Sequence, residues 1–504
     1  MKYIDAFLNR ITMYKLVLYY LCVLFVVALI ECFFGILPYN PLYLLFSAAV
    51  LLIISWIVNY TCARIWHIPT NTESAYITAL IITLIMTPTS PAASFFVLVW
   101  AAVLSQVSKY ILSISGKHLF NPVAIGVASI ALLFNSYASW WVGGTLVLMP
   151  VVILGGLLIV RKIHRFDMVL TYIATAIIVG IVPTVLDGGN IATFTLRLVE
   201  HTPIFFFACV MLTEPLTTPP RRAARVVYGA IVAGLATPWV HFWSFAFTPE
   251  TALLAGNVFS YLTSSPFKKL ATLTQINALA HETYEYVFDA HATFIPGQYA
   301  EWTLNTKFDD SRGNRRYFTI ASSPTESALR IGVKIYDKPS AYKQSLVDLK
   351  VGDTVLVGSI AGDFTMPRDT KRKLVFIAGG IGITPFRSMI QYLIDIEETR
   401  DIVLLYSNRN EHEIAYRDIF DATTQTNPLL RIVYTLTNTD IPSKWDGERA
   451  LIDRQFIIRT VPDYTERTFM ISGPQQMVSA CKSELLALAV SHTHIKTDYF
   501  PGFA

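Results

Sequence analysis

Hydrophobic positions in the first half of the chain form long unbroken runs, such as KLVLYYLCVLFVVALIECFFGIL from Lys15 and LVLMPVVILGGLLIV from Leu146. A helix needs about 20 apolar residues to cross a bilayer, fewer where it is broken. Spans are therefore predicted near 13–36, 41–60, 75–89, 92–108, 121–138, 142–160, 167–186, 202–217, 224–243 and 251–264, about ten in all. From Lys268 the pattern changes. Short runs with a two-residue alternation (TYEYVFDA, QYAEWTLN, RRYFTIASS, ALRIGVKIY, DTVLVGSI) sit between Gly, Pro and Asp, which predicts a small six-stranded antiparallel β-barrel. From Lys373 the order becomes strand, glycine-rich turn, helix, strand (KLVFIAGGIGITPFRSMIQYLID, IVLLYSN, TFMISGP), the signature of a parallel, Rossmann-like α/β domain. The expected architecture is thus multi-domain: a polytopic α-helical membrane domain over 1–264, a β-barrel over 265–368 and an α/β domain over 369–504.

Composition sharpens this division. Of 504 residues, 53% are hydrophobic, and the mean hydropathy of +0.47 is too high for a wholly soluble chain of this size. The net charge of +4 is spread between apolar runs, which argues against nucleic-acid binding. With the amino terminus inside, Arg64, Lys109, Lys117, Arg161, Lys162, Arg165, Arg221, Arg222, Arg225, Lys268 and Lys269 fall on one side and Arg197 alone on the other. The expected placement is multi-pass in the cell (inner) membrane, with both termini and everything after Lys268 in the cytoplasm. The cysteines at 22, 32, 62, 209 and 481 form no C-x-x-C pair and read as structural. No metal site is indicated.

Two polar punctuations interrupt the membrane half: SGKHLFNP at 115–122 and MLTEPLTTPPRR at 211–222. Helix-end turns with interfacial basic residues are the plainer reading. The sharper one is a pair of broken-helix sites, whose free backbone groups would suit an anionic cofactor or an ion, with Glu214 too costly to face lipid. On that reading Lys117, Asn121, Pro122, Thr213, Glu214 and Thr217 are candidate flavin or ion residues, within a turn running to Thr218. The strings KHLFNP, LTEPLTTPP and ETALLAGNVFSYL resemble the flavin-bearing membrane proteins of Rnf complexes and of the sodium-translocating NADH:quinone reductase (Nqr), over about residues 40–264. The resemblance implies a membrane-held flavin and electron transfer linked to ion movement. Relatives that attach FMN covalently use an S-G-A-T segment. This chain offers only NIAT, Asn190 to Thr193, in a short external connection, so non-covalent FMN or riboflavin is the form to expect. Haem would need stacked pairs of helix histidines. His67, His118, His164 and His201 fall at span ends or loops and only His241 late in a span, which argues against it.

In the barrel, RRYFTIASSP places Arg316 and Tyr317 beside Phe318 and Thr319 on one strand. An arginine fork suits a diphosphate, a ring suits a planar cofactor and a hydroxyl can donate to a flavin edge. The string resembles the R-x-[YF]-[ST] motif of the ferredoxin–NADP+ reductase superfamily. That resemblance implies FAD at Arg316, Tyr317, Phe318 and Thr319. It also implies FAD at Val333, Lys334, Ser340 and Tyr342 of IGVKIYDKPSAYKQSL. GGIGITP resembles the superfamily's nucleotide turn, with Gly379, Gly380 and Gly382 clearing space for phosphate and Thr384 and Pro385 opening the helix that faces it. Ser407, Asn408 and Arg409 end the next strand, and Gly473 and Pro474 follow Ser472, which stands where the superfamily has cysteine near the nicotinamide. In the terminal DYFPGFA, Phe500 or Phe503 would cover the flavin. Thr319, Ser472 and Phe500 are the expected catalytic residues.

These readings imply a membrane-bound flavoprotein oxidoreductase. NADH or NADPH would pass a hydride to FAD, and single electrons would continue to a quinone, a partner protein or another acceptor in or across the bilayer, with ion transport as a further expectation. The alternative is a transporter- or channel-like membrane domain regulated by an attached NAD(P)H:flavin reductase.

Overall fold

The computed structural model describes residues 4, 7–8, 11–66, 72–90, 95–114, 117–237, 240–242, 245–264, 268–304, 314–337, 339–438 and 443–500. The chain divides into two compact units, Met1–Pro266 and Phe267–Ala504.

The first unit is helical: α1 Met13–Phe33, α2 Pro41–Trp66, α3 Thr72–Ile85, α4 Phe95–Ile111, α5 Pro122–Phe134, α6 Met149–Ile163, α7 Phe166–Leu186, α8 Ile191–His201, α9 Ile204–Met211, α10 Arg222–Leu235 and α11 Pro249–Thr263. Helices α1, α2 and α7 are long and apolar enough to cross a membrane, and α8 with α9 forms a fourth apolar path bent by 64°. The predicted spans 121–138 and 224–243 end early as helices, at Phe134 and Leu235, and three further departures have a local reason. Residues 142–148 precede α6 as turns, because Trp140 donates its amide to the Ile85 carbonyl (2.9 Å) and the Trp141 indole donates to the Met86 carbonyl (3.0 Å), capping the end of α3. The span expected over 202–217 stops as a helix at Met211, where Pro215, Pro219 and Pro220 force turns. The connection expected to hold Asn190–Thr193 is instead helix α8, capped by the Asn190 side chain on the amides of Ala192 and Thr193, with no buried residue. Helices approach closely where glycine removes Cβ. A methyl at Gly126 would lie 2.7 Å from the Ala101 carbonyl of α4, and one at Gly229 would lie 2.7 Å from the Met168 carbonyl of α7.

The second unit holds two sheets. Strands β1 Lys268–Ala280, β2 Thr283–Asp289, β3 Tyr299–Thr303, β4 Arg315–Thr319, β5 Leu329–Lys334 and β6 Thr354–Ala361 form an antiparallel sheet in the order β4-β3-β6-β1-β2-β5. No ladder joins the end strands β4 and β5 among the described residues. The chain beyond β4 nevertheless reaches β5, where the Ala321 amide donates to the Arg330 carbonyl at 2.8 Å. Inside lie Phe288 and Trp302, with ring centres 4.8 Å apart, and Tyr342 from the short helix α12 Ala341–Val347.

The other sheet is parallel throughout: β7 Leu374–Gly379, β8 Ile402–Asn408, β9 Leu430–Leu436, β10 Thr468–Pro474 and β11 Ile495–Phe500, in the order β9-β8-β7-β10-β11. Every residue of β7 is buried, as expected of a central strand covered on both faces. Helices α13 Thr384–Asp395, α14 Arg417–Thr426, α15 Arg454–Thr460 and α16 Gln475–Ala487 supply the cover.

Candidate functional site

Parallel strands bring their carboxyl ends to one edge, and there the register aligns the nucleotide motifs: Gly379 opposite Ser407, Ala378 opposite Ser472, Ser472 opposite Asp498 and Pro474 opposite Phe500. Such an edge is where open α/β sheets bind ligands. The glycine turn runs through one tight 3-10 turn, Gly380–Ile383, into α13. Gly380 has φ +52° with no atom of the described residues within 4 Å of a Cβ placed there, whereas a Cβ on Gly382 would meet the Ser472 carbonyl at 2.5 Å and the Gly473 Cα at 2.6 Å. The glycine turn and the end of β10 at Ser472–Gly473 thus touch backbone to backbone. Pro385 occupies the first turn of α13, and Thr384 donates to the Ile381 carbonyl at 3.2 Å. Ser472 is fully buried, and its Oγ has no hydrogen-bond partner among the described residues. Asn408 is buried at the end of β8, Ser407 is half-buried, and Arg409 and Pro474 are exposed. Phe500 is described by its backbone only, and Phe503 lies outside the described residues.

Strand alternation sorts the barrel motif into two faces. Arg316 and Phe318 share one, with the Arg316 guanidinium 5.0 Å above the Tyr342 ring and the Phe318 ring 5.9 Å from it. Tyr317 takes the opposite, exposed face, where its phenol donates to Glu301 at 2.9 Å and its ring meets Tyr299. Thr319 is buried, and its Oγ1 lacks a partner among the described residues. Two buried hydroxyls without partners, Thr319 and Ser472, are the kind of donor a bound ring system would satisfy. Of the second FAD segment, Val333 is a core residue and Ser340 caps α12, its Oγ accepting from the Lys343 amide. Tyr342 is sealed inside, its phenol donating to the Trp302 carbonyl at 3.1 Å, and burial pushes that phenol well above its ordinary range. Lys334 reaches Glu413 at 2.6 Å, across to the α/β domain.

Sequence reasoning missed two features. A cleft of about 340 Å³ lies beside the antiparallel sheet, lined by Ile276, Tyr284, Tyr286, Tyr336 and Val347, with the Lys343 ammonium 4.6 Å from the Tyr336 ring. A flat ring could stack there beside a cation. Its walls come from β1, β2, α12 and the end of β5, so no continuous string announces it. The second is a buried polar seam between barrel and α/β domain: Tyr416 donates to Glu285 at 3.1 Å, Glu285 pairs with Arg330 at 2.9 Å, and Arg387 grips Glu326. The same seam is tight at Gly332, where a Cβ would sit 2.8 Å from the Thr384 methyl.

In the helical unit, the three strings that carried the family resemblance meet at one side chain. The Asn257 amide accepts the Asn121 backbone N–H at 2.8 Å and donates to the Thr217 carbonyl (3.4 Å) and the Tyr228 hydroxyl (3.0 Å). Asn121 caps α5 through Ala124 and donates to the Met211 carbonyl, and Pro122 is the first residue of that helix. Thr213 donates to the Cys209 carbonyl, and Thr217 to the Glu214 carboxylate at 3.4 Å. Lys117 is described by its backbone only, in a two-residue pairing with Ser113–Ile114. Two basic residues counted among the inner connections are bonded within the helical unit. Lys109 donates to Ser74 and Thr78 at 3.0–3.1 Å, and Arg225 pairs with Asp167 at 2.7 Å.

Residues 376–483 match the oxidoreductase NAD-binding domain family. The chain carries a ferredoxin-reductase-type, NAD-binding oxidoreductase module. Among curated proteins, the module is similar to a flavohemoprotein of Bacillus thuringiensis subsp. konkukian, 28% identical over 218 residues, which is 42% of this chain and 54% of that protein. It is also similar to the glycine betaine monooxygenase reductase subunit of Chromohalobacter salexigens, 27% identical over 209 residues, 41% of this chain and 56% of that one. The chain spans about half the length of the curated relatives it matches. Among solved structures, the FAD/NAD-binding domain of a nitric oxide dioxygenase from Vibrio cholerae aligns over 47% of this chain and 99% of that one, at 20% identity and a TM-score of 0.41.

Proposed function

We propose that the chain is a membrane-bound flavoprotein that takes a hydride from NADH or NADPH onto FAD and delivers electrons to an acceptor in or across the bilayer. The observation that carries the reading is the backbone contact between the glycine turn and Ser472–Gly473 at the carboxyl edge of the parallel sheet. It leaves phosphate-approach space at Gly380 and an unpartnered buried hydroxyl at Ser472 on the same edge. On this reading Arg316, Phe318 and Thr319 hold the flavin, Arg316 serving the diphosphate and Thr319 the ring edge. The cleft at Tyr336, with Lys343 beside it, suits the adenine end. Bound FAD supplies the conversion of a two-electron hydride into single electrons. Gly379, Gly380, Gly382 and the amino end of α13 receive the nucleotide phosphates, while Ser407, Asn408 and Arg409 face its adenosine half.

For the membrane half we propose a second, non-covalently held flavin, FMN or riboflavin, or an ion, at the turn segments that Asn257 ties together, with Asn121, Thr213, Glu214 and Thr217 as its nearest groups. Onward acceptors of matching chemistry are a quinone or a partner protein, and ion movement coupled to that transfer belongs to the same proposal.

The test is to purify the full chain in detergent, denature a portion and identify each flavin released per polypeptide, then titrate the rest anaerobically with NADH and with NADPH. FAD plus a second flavin, with bleaching of the visible flavin band by either nucleotide, supports the relay. A preparation that binds FAD and is not bleached by either nucleotide refutes the central reading.

A further inference from the structure

Helix α13 connects two places that are usually considered apart. Its first residues, Thr384 and Pro385, close the glycine turn at the nucleotide edge. Within its first turn, Arg387 and Ser388 leave the α/β domain and hold the barrel. The Ser388 hydroxyl donates to the Ser322 carbonyl at 2.6 Å, and Arg387 Nη1 donates to the Ala321 carbonyl at 3.0 Å. Ala321 and Ser322 lie two and three residues beyond Thr319, the last residue of the flavin strand β4. Both side chains are buried, Ser388 completely and Arg387 to 5% exposure.

The grip continues beyond those two bonds. Arg387 clasps Glu326 with both Nη atoms, Nη2 reaching Oε1 at 3.1 Å, and Glu326 in turn accepts from the Ser323 amide at 2.6 Å and pairs with Arg330 Nε at 3.0 Å. The guanidinium also lies 5.8 Å from the ring centre of Tyr416, whose phenol is bonded to Glu285. A buried arginine needing only charge compensation would be satisfied by Glu326. The paired bonds from consecutive residues to consecutive carbonyls add something else, a fixed register between α13 and the backbone that carries Thr319.

We propose that Arg387 is a positioning residue that couples occupancy of the nucleotide phosphate site to the placement of the flavin edge at Thr319. The inference rests on the reading given above, with FAD against β4 and the nucleotide at the carboxyl edge. Phosphate settles on the amino-terminal amides of α13, and the helix, packed without slack, moves as a rod. Arg387 and Ser388 transmit that shift to Ala321 and Ser322. Hydride transfer requires reacting atoms about 3–3.5 Å apart, and an error of about 1 Å costs roughly a hundredfold in rate. The register of α13 on the barrel is therefore where the reaction distance is set.

The experiment uses the full chain in detergent and compares wild type with Arg387→Met and Ser388→Ala. The primary readout needs no turnover: the change in visible circular dichroism of bound FAD when NAD+ or NADP+ is added, with nucleotide affinity measured in parallel by calorimetry. The expected result is a nucleotide-induced change in wild type that is abolished in Arg387→Met and reduced in Ser388→Ala. Nucleotide affinity stays within about threefold, and the hydride-transfer rate of Arg387→Met falls roughly 10- to 100-fold with a larger primary deuterium isotope effect. Should Arg387→Met fail to retain FAD, Ser388→Ala decides by the same readouts. A variant that melts earlier yet keeps the wild-type dichroism change and hydride rate overturns the proposal and leaves a purely structural arginine. A wild-type flavin that neither nucleotide reduces overturns the underlying functional reading, and the inference with it.

Discussion

The three glycines of the nucleotide turn occupy different surroundings, and alanine substitution should separate them. At Gly382 a methyl would sit 2.5 Å from the Ser472 carbonyl oxygen and 2.6 Å from both the Ser472 carbonyl carbon and the Gly473 Cα. All three are backbone atoms, so two strand ends must part by about 1 Å, a strain of roughly 2–3 kcal/mol by analogy with overpacked cores. At Gly380 the methyl meets nothing among the described residues, and the cost reduces to holding alanine at φ +52°, about 1 kcal/mol. At Gly379 the clash is with the Met477 sulfur at 2.4 Å, the mobile part of a flexible side chain, so its penalty should fall below that of Gly382→Ala. One kcal/mol corresponds to about 2–4 °C in a unit of this size. Gly382→Ala should therefore melt roughly 5–10 °C below wild type and Gly380→Ala only about 2–4 °C below. The assay is thermal release of FAD fluorescence from the full chain in detergent. Hydride transfer should follow the same order, because Gly382→Ala displaces Ser472 itself. If Gly382→Ala melts no lower than Gly380→Ala, the backbone contact assigned to this turn is wrong.

Three further outcomes follow from particular side chains. Ser472→Ala removes a buried hydroxyl with no partner among the described residues, so it should raise the melting temperature by the equivalent of about 1 kcal/mol while slowing flavin reduction; parallel melting and stopped-flow measurements check the opposed signs, and a variant both less stable and equally fast would contradict the assignment. Hydrogen bonds from Arg467 and Lys373 hold the Asp463 carboxyl down at about 2, below its usual 3.8. Stability from it is present above about pH 4 and lost as the pH falls towards 2; because the group is a third exposed, this is worth at most about 1 kcal/mol, and Asp463→Asn should flatten that part of an acid-denaturation profile. Asn257→Ala strands the buried Asn121 N–H and the partners of the Asn257 amide, so it should destabilise the helical unit by roughly 2–4 kcal/mol in a detergent melt. Reduction of FAD by NAD(P)H in the same Asn257→Ala preparation should stay unchanged, and a slowed flavin would show that the amide acts beyond the helical unit.

What the sequence made legible in the reductase module is what local pattern encodes. The alternation of β4 and the unbroken apolar run of β7 announced an antiparallel sheet and a covered parallel one, since side-chain period follows directly from burial on one face or two. GGIGITP was readable because a phosphate turn is a contiguous string. Tyr317 was not separable from Arg316 and Phe318, because a motif names neighbours while strand alternation puts every second one on the far face. Arg387, Glu326, Glu285 and Tyr416 were invisible for a different reason. Each is an ordinary charged or aromatic residue in its own segment, and only the packing of α13 and α14 against the barrel, through the space left at Gly332, turns them into one buried seam.

The helical unit was legible in a complementary way: its strings were conspicuous and their meeting was not. Hydropathy marks a helix by length alone, so it merged α6 with the turns that cap α3, and it could not see that α8 would form on a single asparagine cap. It counted Lys109 and Arg225 among the basic residues of the inner connections, and could not show that both bond oxygens inside the unit, at Ser74, Thr78 and Asp167. A charge that is costly in hydrocarbon is retained where its partners are built in, and that reasoning ranks the segments around Lys109, Asn257 and Glu214 above the exposed helix α8 as the place to look for a membrane-held ligand. If a second flavin is found and cross-links to α8 instead, the ranking by buried polar partners fails, and the Thr193 segment takes the role that the S-G-A-T segment has in the proteins it resembles.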